Sequence, residues 1–294
     1  MILFAKFLVI AAVFADVVAG TWNLKWFPSG RAKHNAPPSV EKATIESAGK
    51  AIRSSIGEMP SPPKDGDGTI LFFQEIRDFK TATNLVNAIG LSNVNLACFS
   101  LFKDWDGRAI QQQCAIATTL PVIDSSWSYW KRPKKITPPR GYAYALLDGG
   151  KDGVVACFCV HLKSNYATTT KAKKEDAKKK REVCAEQLAK LAKSLKTPDG
   201  KKVSKVIIAG DFNIDKWDPI LKDEKTHSIL ADASFANCFE NVPLSERWTY
   251  PGSTRRKDST LDYIYHKGFD SASSLYVAPL KDFSDHRMVL LRLE

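Results

Sequence analysis

Val206-Ile207-Ile208-Ala209-Gly210-Asp211-Phe212-Asn213 is the stretch from which the remaining 294-residue chain is most readily read. Four apolar residues, two of them isoleucines, run straight into a glycine, an acid and an amide. The apolar part predicts a buried strand. An acid and an amide at its tip stand at the rim of a sheet, on a rigid support of the kind that carries catalytic groups in α/β folds.

Other apolar runs close in the same way. They are Trp22-Asn23-Leu24, Phe73-Gln74-Glu75, Val160-His161-Leu162-Lys163-Ser164-Asn165 and Ser284-Asp285-His286, with Leu261-Asp262-Tyr263-Ile264 as a further case. Singly, each has an ordinary explanation, since acids after strands often cap helices and lone histidines are often structural. Jointly they supply carboxylates for a hard divalent cation, amides and histidines for phosphoryl oxygens, and a histidine beside acids to move a proton. That inventory suits phosphate-ester cleavage.

Strand-like runs are expected at 22–27, 69–75, 94–100, 114–119, 142–147, 154–162, 205–211, 261–266 and 288–293. Helical spacing is expected over 40–56, with Ser39 as cap, over 79–89 and over 171–195. The last of these places Val183, Leu188, Leu191 and Leu195 on one face. It opens with a lysine-dense segment ending in Lys180-Arg181, whose interspersed acids mark it as a solvated face. No internal repeat and no interdomain linker is visible.

Composition is that of a folded globular chain, with 44% hydrophobic and 26% charged residues. The first 19 residues read as a secretory leader: one early cation, Lys6, an apolar stretch from Phe7 to Ala15, then small residues suited to cleavage after Ala15 or Ala19. The apolar stretch falls short of the roughly 20 residues that span a bilayer. Loss of Lys6 and Asp16 removes one charge of each sign, so the net charge of +11 belongs to the working protein and favours a polyanionic partner. Six cysteines exported to an oxidising compartment predict one to three disulfides, and none has the spacing of a zinc knuckle.

In order and local context the polar clusters closely resemble the endonuclease/exonuclease/phosphatase superfamily, which includes secreted DNase I, AP endonucleases, neutral sphingomyelinases and inositol polyphosphate 5-phosphatases. The resemblance extends from Thr21 to Glu294. It implies an α/β chain folded as a four-layer sandwich, two mixed sheets face to face with helices outside, in one domain over residues 20–294. It implies Mg²⁺ or Mn²⁺ at Glu75, with Asn23 and Asp285 beside it, and Ca²⁺ as a further structural ion. Asp211 and Asn213 would position the attacking water. His286, oriented by Asp262, would meet a phosphate oxygen or transfer a proton, and His161 would be the second histidine. An acid on one imidazole nitrogen fixes the tautomer and raises the basicity of the other.

Within the superfamily, Leu261-Asp262-Tyr263 stands where inositol phosphatases carry Cys-Asp-Arg, which turns the expectation toward nucleases. Two basic segments support DNA, or RNA, as partner: Trp130-Lys131-Arg132-Pro133-Lys134-Lys135 leading to Arg140, and Thr254-Arg255-Arg256-Lys257. Arg140, Lys163, Asn165, Arg255 and Arg256 are the expected phosphate contacts. A sphingomyelinase-type enzyme, with Trp127, Tyr129 and Trp130 at a lipid interface, is the alternative, and a silent binding member a second. A monomer without stable membrane insertion is expected.

Overall fold

Two six-stranded mixed sheets form the centre of the protein. The computed structural model describes residues 16–133, 136–150, 153–165, 170–252 and 257–294. In the first sheet the order is β11 (Ala272–Val277), β12 (Val289–Leu293), β1 (Val17–Phe27), β2 (Gly68–Ile76), β4 (Gln113–Thr118) and β3 (Asn95–Phe99). The second runs β5 (Val122–Tyr129), β6 (Gly141–Asp148), β7 (Val154–His161), β8 (Lys205–Asp211), β10 (Asp262–Lys267) and β9 (Ala236–Asn237). The expected sandwich is the fold observed.

The side-chain alternation of the first sheet explains its two apolar contacts. Ile70 and Phe72 of β2 face the second sheet, as do Cys114 and Ile116 of β4. Leu71, Phe73, Ala115 and Ala117 face the other way, onto helices α1 (Pro38–Gly57) and α2 (Phe79–Ile89). A strand covered on both faces reads as an unbroken apolar run, which is why the central strands were visible in sequence. On the far side α3 (Lys171–Ser194) applies Cys184, Ala185 and Leu188 to the second sheet.

Helix starts differ in chemistry. Asp78 caps α2 by accepting from Thr81 N at 2.7 Å, as its sequence position suggests. The expected Ser39 cap of α1 is not formed: the helix begins two residues earlier, with Pro37 at the cap and Pro38 as first residue, because proline's fixed φ already suits that position. No helix among the described residues is long and apolar enough to cross a membrane.

One further expectation needs correction, and the end of the expected leader meets a strand. All six cysteines are buried free thiols rather than disulfide partners, each packed as a small apolar residue inside or beside the sheets. Residues 1–15 of the expected leader lie outside the described residues, but Val17, Val18 and Ala19 are buried in β1. Cleavage after Ala19 would remove the start of a central strand, whereas cleavage after Ala15 would leave it whole.

Strand directions gather the polar tips at one rim. β1 and β2 are parallel, as are β7 and β8, so Asn23, Glu75, His161 and Asp211 all lie at or near carboxyl ends. β10 runs antiparallel to β8 and sets its first residue, Asp262, opposite Asp211. β12 runs antiparallel to β1, bringing His286 to the same rim just before the strand starts.

Candidate active site

Gly210 lets the two central strands approach closely enough for the site to form. A Cβ at this position would lie 1.9 Å from Val160 O, and its φ of +149° suits glycine. Asp211 follows, fully buried, with its Oδ1 accepting from Asn213 N at 2.8 Å. Asn213 itself adopts a left-handed φ of +57° and donates from Nδ2 to Leu162 O at 3.2 Å, tying the β8 tip to the β7 tip.

Glu75 also has a positive φ, +63°, and the ladder of β2 with β4 slips in register between Gln74 and Ile76. Such an irregularity re-aims one side chain out of the strand's alternation. Glu75 Oε2 accepts from Trp26 N at 3.0 Å, and its Oε1 accepts from Asn23 Nδ2 at 3.2 Å. The same Asn23 nitrogen donates to Asp211 Oδ2 at 2.9 Å, so one amide spans the carboxylates of both sheets. Asn23 Oδ1 is turned away, accepting from Lys25 N. In this arrangement Asn23 spaces the acids as a donor, and the oxygens facing the site belong to Glu75 and Asp211.

The histidines lie on opposite sides of these carboxylates. His161 Nε2 is 3.7 Å from Glu75 Oε1 and 3.6 Å from Asp211 Oδ2. His286 Nε2 is 4.0 Å from Asp211 Oδ2, while its Nδ1 forms a 2.7 Å hydrogen bond with Asp262 Oδ2. Burial depresses the His161 pKa well below the usual histidine range, with Arg140, His286 and Lys163 adding repulsion. Burial also opposes charge on His286, but Asp262, Asp211 and Asp285 overcome it and raise the pKa to about 10. One imidazole is therefore neutral and the other cationic, the divergence that separates proton roles within one site.

Sequence reasoning missed the residues that hold this dyad. Thr249 Oγ1 donates to Asp262 Oδ2 at 2.7 Å, and Ser284 Oγ accepts from His286 N and donates to Asn23 O. The Tyr250 ring stands 5.0 Å from the His286 ring. Ser284 lies within the Ser284-Asp285-His286 cluster, whereas Thr249 carries no local signal because its partner lies 13 residues away. Asp285 is at the mouth, half-exposed, with Lys25 Nζ 3.4 Å from its Oδ2.

Arg140 occupies the rim, but its guanidinium is committed to the chain. Nε donates to His161 O at 3.0 Å, Nη2 to Leu162 O at 2.8 Å and Nη1 to Gln112 Oε1 at 2.9 Å. Arg181 continues the clamp: Nη1 donates to Lys163 O, and the fork pairs with Glu224 through two 2.6 Å bonds in full burial. Two arginines thus hold three successive carbonyls behind His161. The solvated face expected of the lysine-dense segment holds for Lys171, Lys173, Lys174 and Lys179, the last paired with Glu175, whereas Lys180 is mostly covered beside Asp176 and Arg181 is buried. Its burial is detectable in the spacing Ala177, Arg181, Cys184, Ala185, Leu188, a single helical stripe.

Lys163 is half-buried near the site, with its pKa lowered by burial and by Arg140, Lys180 and Arg181. Asn165 reaches toward Asn213 O. Arg255, Arg256, Lys134 and Lys135 lie outside the described residues. Trp130 is buried, and Trp127 packs on Phe102, so these two indoles serve the core rather than an interface.

Asp211, Asp262 and His286 bring ligand-type atoms within 4.8 Å of one another. Asp262 Oδ2 and His286 Nδ1 already pair, leaving Asp262 Oδ1 buried without a hydrogen-bond partner among the described residues, and a cation among the three would face an imidazolium. The better oxygen pair is Glu75 and Asp211. Burial, helped by Asp262 and Glu75 and opposed by His286 and Asn23, pushes the Asp211 carboxyl up to about 7. Several acids crowded at one buried rim are the donor set a hard divalent cation fits.

The Endonuclease/Exonuclease/phosphatase family profile matches residues 20–286, and the chain belongs to that family of phosphoesterases. No curated protein matches the sequence. Among solved structures, an endonuclease/exonuclease/phosphatase from Beutenbergia cavernae superposes with a TM-score of 0.64 at 15% identity, covering 95% of this chain and 71% of that one. Sphingomyelinase C from Streptomyces griseocarneus gives 0.58 at 16% identity, covering 95% and 100% of the two chains. The 3′ phosphatase NExo from Neisseria, bound to a product DNA hairpin, gives 0.61 at 13% identity over 94% and 99%. At these identities the likeness is one of fold.

Proposed function

We propose that this member of the endonuclease/exonuclease/phosphatase family is a secreted or periplasmic, divalent-cation-dependent phosphodiesterase that hydrolyses nucleic acid, DNA foremost. The observation that carries the reading is the convergence on Asp211 Oδ2 of His161 Nε2 at 3.6 Å, His286 Nε2 at 4.0 Å and Asn23 Nδ2 at 2.9 Å, at one buried rim. A carboxylate fixed between two imidazoles is suited to orient an attacking water. Asn213 fixes the position of Asp211 through its backbone N–H, and Asn23 holds the carboxylate plane.

His286 spends its Nδ1 on Asp262, leaving Nε2–H to donate to a phosphoryl oxygen as negative charge grows there. Neutral His161, held by the Arg140 clamp, presents its Nε2 from the other side. A bound Mg²⁺ or Mn²⁺ at Glu75 and Asp211 would supply further positive charge to the same oxygens. In-line attack by water requires no covalent enzyme intermediate.

The net charge of +11 supports a polyanionic substrate, and exposed Lys131 and Arg132 follow β5 out of the catalytic rim. The apolar leader supports export. Purified protein should be assayed on supercoiled plasmid, RNA and sphingomyelin vesicles, each with Mg²⁺ or Mn²⁺. Nicking of plasmid that weakens as salt rises is the expected result. Sphingomyelin cleavage with untouched plasmid and RNA would refute the substrate assignment.

A further inference from the structure

The connection between β3 and β4 leaves the catalytic rim as a braced arm. Gln113 opens β4 opposite Ile76, one residue beyond Glu75, and the preceding Gln112 is the residue bound by Arg140. The base of the arm is tied by the buried Gln113 side chain. Its Oε1 accepts from Ser100 Oγ and Phe102 N, both at 2.8 Å, and its Nε2 donates to Phe102 O and Ile110 O. Phe102 is fully buried with the Trp127 and Tyr129 rings each 5.7 Å away, and Lys103 N donates to Tyr129 Oη at 2.8 Å.

The tip is just as well determined. Asp104 Oδ1 accepts from the N–H groups of Asp106 and Arg108 at 2.9 Å each, and Asp104 N donates to Arg108 O. The Arg108 guanidinium pairs with both Asp104 and Asp106. Gly107 takes the left-handed φ of +78° that the turn requires. On this support Trp105 is 92% exposed. The turn closes through backbone and carboxylate bonds that do not involve the indole, and leaving such a ring in water forgoes the gain of burying it. An indole held out by a rigid turn is an aromatic face available to a partner.

We infer that Trp105 is a stacking platform for an unpaired nucleobase of the polynucleotide whose scissile phosphate meets Asp211. The inference rests on the nuclease reading above. One indole face suffices for a base, every base has a π-face, and the flanking charges can stay in water while the base stacks. A lipid surface fits less well. Insertion of Trp105 would carry Asp104, Asp106 and Arg108 toward the headgroups, and desolvating that cluster opposes entry. Bases inside a duplex have no free face, so the platform favours substrates with unpaired nucleotides beside the cleavage point.

The test uses the full chain as wild type, Trp105→Ala and Trp105→Phe, with Mg²⁺. Two single-stranded oligonucleotides of equal length are compared, one with bases and one with tetrahydrofuran abasic residues flanking a single nucleotide step. For Trp105→Ala the ratio of kcat/KM between base-bearing and abasic strands should fall about tenfold, through KM, and Trp105→Phe should restore most of it. An unchanged ratio overturns the platform, as does equal loss on both strands or a loss that phenylalanine does not rescue. Failure of the nuclease reading looks different: wild type would cleave neither strand and would act on sphingomyelin vesicles instead. A vesicle rate that falls in Trp105→Ala would then reassign the indole to lipid.

Discussion

At Gly210 the absence of a side chain decides whether β7 and β8 can bring His161 and Asp211 together. A methyl group would meet Val160 O at 1.9 Å, and the contacted atom is backbone, which cannot swing aside. Gly210→Ala should therefore lower stability by about 2–3 kcal/mol in urea unfolding, and an alanine variant as stable as wild type would contradict the packing described. Much at this scale was legible in sequence. Asn23, Glu75, His161, Asp211, Asp262 and His286 each closed or opened an apolar run, and the fold collects them at one rim. Orientation was not legible: that Asn23 acts as a donor between two acids, or that Arg140 is committed to carbonyls, depends on partners up to 188 residues away.

Among the elements, α4 (Thr226–Asp232) holds a histidine whose ionisation is coupled to folding. His227 is buried, its Nε2 donating to Ile214 O at 3.2 Å and its Nδ1 facing Tyr265 Oη at 2.6 Å. Burial, with Lys216 and Arg181 assisting against the Ile214 hydrogen bond, lowers its pKa from 6.5 to about 3. The unfolded chain thus binds a proton between these values that the native state refuses. His227 contributes its full stability above pH 6.5 and loses it as pH falls toward 3, at a slope of about 1.4 kcal/mol per pH unit. Unfolding titrations of wild type and His227→Gln over that window should diverge with this slope; parallel curves would contradict it. The central strands were expected within a residue or two, apart from β1, whose first residues had been assigned to the leader. β5, β9 and β11 were not foreseen. β5 is an edge strand exposed along most of its length, so Val122 to Tyr129 shows neither an apolar run nor a clean alternation.

The whole molecule packs two sheets face to face so that their strand ends meet at one rim, and each supplies part of the polar groups. Glu75 and Asn23 come from the first sheet, His161, Asp211 and Asp262 from the second, and His286 from the approach to β12. In the proposed function this shared rim, with Glu75 and Asp211 able to hold a divalent cation, hydrolyses phosphodiesters by aiming water from Asp211 while His286 meets the growing charge. The most direct measurement is the initial rate of plasmid nicking in Mg²⁺ for wild type, Asp211→Asn and His286→Ala, each repeated in EDTA. Wild type should nick and stop on chelation. Both variants should melt cooperatively and run at least about 100-fold slower. Nicking that persists in EDTA, or a folded variant working at the wild-type rate, would contradict the account.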